Sequence, residues 1–261
     1  MRNQPIGVFD SGIGGLTVAH AIKEYMPNES IVYFGDTEHL PYGEKSDNSI
    51  QYFSEKISDF LLKRNCKAIV IACNSASSIA YKKVSAIAKN IPVFNVIDPV
   101  IKHVIKICGK SKIGVIGTKA TIHSGKYSKE IRNLCPIAEV KSLATPLLVP
   151  MIEEGFIEGK ISHTIIETYL SNNLLKDLDY LILACTHYPL IHEEIDKFYK
   201  GKVCIINSGE IVASYIKEKL TTLELDSKSL ESRYHFYASN YTKSFEHSAR
   251  FFFQKRIKLE E

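Results

Sequence analysis

Ala68-Ile69-Val70-Ile71-Ala72-Cys73-Asn74-Ser75 is an apolar run that stops abruptly on a thiol, an amide and a hydroxyl. A short apolar stretch rich in β-branched residues reads as a strand covered on both faces, as in a parallel sheet. The periodic segment 76–89 behind it reads as a helix. The junction between them therefore lies at the carboxyl end of a strand, where open α/β sheets bind their ligands.

Outward from this junction the same alternation recurs. Candidate strands are 6–10, 31–35, 68–73, 93–97, 112–117, 138–143, 180–185, 203–207 and 234–238. Helical patterns fall at 16–25, 48–64, 76–89, 99–108, 162–175 and 210–220. Such alternation predicts an α/β fold with largely parallel sheets. The pattern also repeats itself. Leu181-Ile182-Leu183-Ala184-Cys185-Thr186 resembles Ile69-Val70-Ile71-Ala72-Cys73-Asn74 at an offset of 112 residues. Ile113-Gly114-Val115-Ile116-Gly117-Thr118 resembles Ile6-Gly7-Val8-Phe9-Asp10-Ser11 at an offset of 107. The order and spacing predict two pseudosymmetric α/β domains, with a boundary near Ile97-Asp98-Pro99. No low-complexity linker separates the halves, so a cleft between them is expected.

Composition narrows the functional classes. The 261 residues carry 33 Lys+Arg and 29 Asp+Glu, a net charge of +4 spread along the chain. No basic block calls for nucleic acid or a membrane surface. No apolar run approaches the roughly 20 residues of a membrane span. The start, MRNQPIGVFD, lacks a signal pattern, and a cytoplasmic location is expected. The cysteines Cys66, Cys73, Cys108, Cys135, Cys185 and Cys204 form no CxxC pair. Free thiols are expected, not a disulfide set or a zinc site.

Four segments carry polar groups at strand ends or in loops. Asp10-Ser11-Gly12-Ile13-Gly14-Gly15 is a glycine-rich turn in which Ser11 can cap the next helix and backbone N–H groups can approach an anion. It lacks the third glycine of the dinucleotide fingerprint. Cys73-Asn74-Ser75 stands at a helix start, which lowers a thiol pKa. Cys185-Thr186-His187 repeats that arrangement with an imidazole two residues on, able to exchange a proton with the thiol. Pro41-Tyr42-Gly43 reads as a loop with backbone donors. Each has a plainer reading in isolation: a buried structural cysteine, a histidine satisfied in its loop, a simple turn. Glu153 has two readings, a place near His187 or, by pattern alone, a solvated helix residue.

The combination is more telling than its parts. Two thiols at equivalent positions of two equivalent halves would face each other across one cleft. Racemisation at an α-carbon needs that arrangement: one group removes a proton from one face while the other delivers one to the opposite face. A free thiol near pKa ~8.5 is close enough to neutrality to be tuned either way. Asp10 is the candidate tuner of Cys73, and His187 of Cys185. Asn74, Ser75, Thr118, Thr121, Thr186 and backbone amides are candidates to hold the α-carboxylate and support the carbanion.

Taken together, FDSGIGGL (9–16), GDTEHLPYG (35–43), ACNSAS (72–77), GTKAT (117–121) and ACTHYPL (184–190) resemble the signatures of glutamate racemases in the aspartate/glutamate racemase superfamily. Two positions depart from the usual family pattern: Ser75 replaces threonine, and Ala184 replaces glycine before the second cysteine. The resemblance implies that Cys73 takes the α-proton of D-glutamate and Cys185 that of L-glutamate. It implies assistance to Cys73 from Asp10, and to Cys185 from His187 and Glu153. Asp10, Ser11, Asn74, Ser75 and Thr186 would hold the head group, and Pro41, Tyr42 and Gly43 the side-chain carboxylate. It further implies a domain of residues 1–97 joined by 209–261, a second domain of 98–208, no pyridoxal phosphate or metal, a homodimer, and D-glutamate made for peptidoglycan. The runner-up is an aspartate racemase. A hydrolase built on Cys185 and His187 would leave Cys73 without a task, and a non-catalytic binding protein would not need both thiols and both tuners.

Overall fold

The computed structural model describes residues 2–243, 245, 246, 259 and 260; the rest of the 209–261 segment lies outside the described residues. The first half runs β1 (Ile6–Asp10), α1 (Leu16–Tyr25), β2 (Ile31–Gly35), α2 (Asp47–Lys63), β3 (Ala68–Ile71), α3 (Asn74–Ile79), α4 (Tyr81–Ala88) and β4 (Val93–Asn95). Helix α5 (Ile97–Ile107) then leads into β5 (Lys112–Gly117), α6 (Lys119–Ser124), α7 (Lys126–Leu134), β6 (Glu139–Ala144), α8 (Leu148–Glu153) and α9 (Lys160–Leu170). The remainder is β7 (Tyr180–Ala184), α10 (His192–Tyr199), β8 (Cys204–Ile206), α11 (Ser208–Thr222), β9 (Tyr234–Ala238) and β10 (Leu259–Glu260).

These strands form two parallel sheets, ordered β10-β9-β2-β1-β3-β4 and β6-β5-β7-β8. The internal repeat is visible in both order and register. β2-β1-β3-β4 has the same topology as β6-β5-β7-β8. Ile6 opposes Ala68 and Phe9 opposes Ile71, while Ile113 opposes Tyr180 and Ile116 opposes Leu183. Those pairs are related by the offsets of 107 and 112 read from the sequence. The inner strands are apolar throughout because helices cover both faces. Leu16, Val18 and Ile22 of α1 join Val212, Ile216 and Leu220 of α11 on one face of the first sheet. Ile50, Ile57 and Leu61 of α2 cover the other. The second sheet packs Ile166 and Leu170 on one side and Ile101, Val104 and Ile131 on the other.

The C-terminal segment rejoins the first sheet through β9, which pairs with β2. A buried ion pair fastens this return. Lys67 Nζ lies 2.5 Å from Glu29 Oε2 and donates to the carbonyl of Leu225 at 2.7 Å. Glu29 Oε1 accepts the N–H of Ser227 at 2.8 Å.

Three sequence expectations change. The helix expected at 76–89 begins at Asn74 and breaks at Ala80. The Ser77 hydroxyl turns back to the carbonyl of Ile71 in β3, and the Ser78 hydroxyl bonds the carbonyl of Ser75, competing with the helical ladder. The helix expected at 162–175 starts at Lys160 and ends at Leu170, and the Asn172 side chain accepts from Leu174 N–H to open a separate 3₁₀ turn, Asn173–Leu175. Ser11 does not cap α1. That helix starts at Leu16 after Gly15, because the glycine turn continues four residues past Ser11. Among the described residues no helix is long and apolar enough to cross a membrane.

Candidate active site

β1, β3, β5 and β7 all point their carboxyl ends at the junction of the two halves. Cys73 follows β3 and caps α3, its Sγ accepting the N–H of Ala76 at 3.5 Å. Cys185 holds the matching place after β7. Both sulfurs are nearly enclosed, each residue being 5% exposed.

Their surroundings differ because the repeat has diverged. On the Cys73 side stands Asp10, fully buried, at the end of β1; its counterpart in the second half is Gly117. The Cys73 thiol donates to Ser11 Oγ at 3.7 Å. Asp10 accepts the N–H of Gly12 at 3.0 Å and, across the junction, the hydroxyl of Thr186 at 3.4 Å. Burial raises the Asp10 carboxyl above its usual range, against the opposing pull of the His187 cation and the Gly12 and Gly15 N–H groups. Burial, then the Asp10 charge, pushes the Cys73 thiol up to about 12 despite the Ala76 N–H. This corrects the expectation from the helix start. One N-terminal amide lowers a thiol pKa, but desolvation beside a carboxylate outweighs it.

On the Cys185 side, His187 replaces the hydroxyl residue Ser75 of the first half. His187 Nδ1 lies 3.8 Å from Cys185 Sγ, and Nε2 lies 3.0 Å from Glu153 Oε1. Burial alone would lower this imidazole. The contacts with Cys185 and then Glu153 outweigh it and raise the value to about 10, which favours the charged ring. Glu153 is thus not a free solvated residue. It closes α8, and its carboxylate reaches the otherwise buried ring because the segment after β6 folds over the Cys185 turn.

The contacts across the junction are pseudosymmetric. Ser75 Oγ lies 2.8 Å from Thr118 Oγ1 and 3.3 Å from Thr121 Oγ1, joining three hydroxyls from both halves. The position equivalent to Ser75 is His187, and the one equivalent to Thr121 is Gly14. That pair also touches: a Cβ on Gly14 would fall 2.4 Å from His187 Nδ1 and 2.5 Å from Thr186 Oγ1. Glycine is required at 14 because an imidazole has taken the place of a hydroxyl. Gly43 is held in the same way, since a Cβ there would meet Thr118 Cβ at 2.5 Å. Tyr42, after Pro41, is anchored by donating its hydroxyl to Asp36 at 2.6 Å.

The structure brings together Asp10 and Ser11 beside Cys73, Thr186, His187 and Glu153 beside Cys185, and Gly43 against the Ser75–Thr118–Thr121 cluster, while Pro41 and Tyr42 are reached only through the loop that carries Gly43. Three contributors had no sequence signal beyond apolar periodicity. Tyr33 donates to Gly12 O at 2.7 Å, Thr17 donates to Thr186 O at 3.2 Å, and Tyr127 donates to Asn74 Oδ1 at 2.8 Å. Among the described residues no three His, Cys, Asp or Glu side chains cluster as a metal site requires. What the site offers chemically is two thiols in different settings, Cys73 bonded to Ser11 with the Asp10 charge acting on it and Cys185 beside His187, with hydroxyl and amide groups on the adjoining turns.

Comparison with known proteins agrees with the fold. Residues 8–216 match the family model described as Asp/Glu/Hydantoin racemase. A glutamate racemase of Neisseria meningitidis serogroup A is 40% identical over 242 residues, covering 92% of this chain and 88% of the relative. One from Chlorobaculum tepidum is 41% identical, covering 88% and 84%. Among solved structures, glutamate racemase from Francisella tularensis subsp. tularensis SCHU S4, in complex with D-glutamate, superposes with a TM-score of 0.93 at 40% identity, over 100% of this chain and 97% of that one. Isoform RacE1 of Bacillus anthracis glutamate racemase gives 0.94 at 36% identity, with the same coverage.

Proposed function

The chain belongs to the Asp/Glu/Hydantoin racemase family, and from that premise we propose that it is a glutamate racemase that moves the α-proton between two cysteines. The observation that carries the reading is the pair of differently partnered thiols at equivalent strand ends of the two halves. His187 is the cation beside Cys185, so Cys185 is assigned as the base toward L-glutamate. It takes the α-proton from one face, and the Cys73 thiol gives its own proton to the other. The electron pair left on the α-carbon is held as a planar carbanion between those steps. In the reverse direction Asp10 accepts the Cys73 proton, and Cys73 takes the α-proton of D-glutamate. The raised Asp10 carboxyl suits that task, because a carboxylate with a higher pKa is a stronger base. His187 returns a proton to Cys185, with Glu153 holding the ring. The sulfurs, Asp10 and His187 between them account for every proton moved, and the reaction as drawn calls on no cofactor.

Asp10, Ser11, Asn74, Ser75, Thr118, Thr121, Thr186 and His187 are assigned to the amino-acid head group. Pro41, Tyr42 and Gly43 are assigned to the side-chain carboxylate. The described parts of 1–97 and 209–261 are assigned to one domain, and 98–208 to the other. The enzyme is placed in the cytoplasm as a homodimer, with its D-glutamate entering peptidoglycan synthesis.

The test is incubation of L- and D-glutamate in deuterated water without added pyridoxal phosphate. Deuterium should enter the α-position with inversion, and Cys73→Ala and Cys185→Ala should each abolish racemisation. Turnover of aspartate as fast as glutamate would overturn the substrate assignment. Activity surviving a thiol-blocking reagent would overturn the mechanism.

A further inference from the structure

We infer that Tyr127 is a positioning residue for substrate recognition, holding the Asn74 amide in the orientation that offers its NH₂ group to the substrate carboxylate. The inference rests on the racemase reading above. Tyr127 belongs to α7 in the second half, and Asn74 opens α3 in the first. Each is 2% exposed. The Tyr127 hydroxyl donates to Asn74 Oδ1 at 2.8 Å. With the phenol as donor to Oδ1, the bond holds the amide in the orientation that turns Nδ2 away from Tyr127. In that orientation Asn74 Nδ2 is buried with no hydrogen-bond partner among the described residues.

A buried amide donor without an acceptor costs free energy, and native proteins retain few of them. Its place explains it. Asn74 stands between Cys73 and Ser75 in the chain, and Ser75 joins the Thr118 and Thr121 hydroxyls, so this strand end is where a carboxylate would require donors. The flipped amide would present an oxygen there and repel the substrate. Burial, together with the negative charges of Asp98 and a Cys185 thiolate, keeps the phenol protonated, so it stays a donor. Because the two residues come from opposite halves, the amide is set only when the halves are together.

The experiment is steady-state racemisation of L- and D-glutamate by the wild type, Tyr127→Phe, Asn74→Ala and the double variant, with melting temperatures measured alongside. An inactive wild type would remove the racemase reading itself, and this inference with it. With an active wild type, Tyr127→Phe should raise KM about tenfold, the usual scale for one lost hydrogen bond to a recognition group, and leave kcat within about twofold. Asn74→Ala should raise KM at least as far, and adding Tyr127→Phe to it should change nothing more. Asn74→Asp, which keeps an acceptor for Tyr127 but has no NH₂, should also lose glutamate affinity, and it answers the question if Tyr127→Phe does not fold. An unchanged KM in Tyr127→Phe, additive effects in the double variant, or full affinity in Asn74→Asp would overturn the inference. A merely structural tyrosine would lower the melting temperature and leave KM in place.

Discussion

His187 and Glu153 lie 3.0 Å apart, Nε2 to Oε1, with the imidazole buried and its other nitrogen 3.8 Å from Cys185 Sγ. The carboxylate is one of two contacts that keep this ring charged against its burial. Glu153→Gln should therefore lower the His187 pKa and reduce kcat about a hundredfold with L-glutamate, the low end for a disturbed acid–base group. Histidine NMR titration with kinetics checks both. A ring that still titrates near its wild-type value would show that Glu153 does not hold the charge.

The same ring links stability to pH. Its folded value of about 10 lies above the ordinary 6.5, so its contribution is complete below about 6.5 and is lost as pH rises toward 10. The Cys73 thiol, raised from 9 to about 12, acts in the same direction at still higher pH. The melting temperature should fall between pH 7 and pH 10, and His187→Asn should flatten that fall. Equal slopes in the two proteins would count against the assignment.

Asp10 is raised by burial, so its charged form weakens the fold at neutral pH. Asp10→Asn should raise the melting temperature while cutting kcat with D-glutamate about a hundredfold, the scale for loss of a positioned proton acceptor. Stability held in reserve for function behaves in this way. A variant neither more stable nor slower would contradict the role.

Gly14→Ala would put a methyl 2.4 Å from His187 Nδ1. The imidazole must shift, and a misplacement near 1 Å costs on the order of a hundredfold in rate. Circular dichroism should show a retained fold. A fully active Gly14→Ala enzyme would mean that the His187 position is not critical.

Lys67 and Glu29 form a buried pair at 2.5 Å that ties the chain start, the loop before β2 and the returning C-terminal segment together. Lys67→Met leaves Glu29 uncompensated and should cost about 3–5 kcal/mol, while adding Glu29→Met should recover a part of it. Urea unfolding measures both. A loss in the double variant equal to that in Lys67→Met alone would show that the Glu29 charge is not the source.

Much of the fold was legible in the chain. The apolar runs at 6–10, 68–73, 112–117 and 180–185 marked four inner strands, since strands covered on both faces admit few polar side chains. The offsets of 107 and 112 carried the register of both sheets, because equal registers keep equivalent residues opposite each other. The positions of Asp10, Cys73 and Cys185 at strand ends were visible because strand-end residues are set by the strands before them. Helix boundaries at Ala80 and Leu170 were less legible, since serine hydroxyls and an asparagine side chain competed with the helical ladder.

The sequence by itself determined which residues stand at the carboxyl ends of the strands, as that follows from local periodicity alone. Only the tertiary structure decided their chemistry. Helix-start logic pointed to a lowered Cys73 thiol, yet Asp10 and desolvation raise it. Pattern left Glu153 to solvent, yet the fold over the Cys185 turn brings it to His187. Tyr127 lies 53 residues from Asn74 in the chain and touches it only because the two halves meet. Proton affinity and hydrogen-bond choice depend on dielectric and on neighbours distant in sequence, and those exist only once the chain has packed.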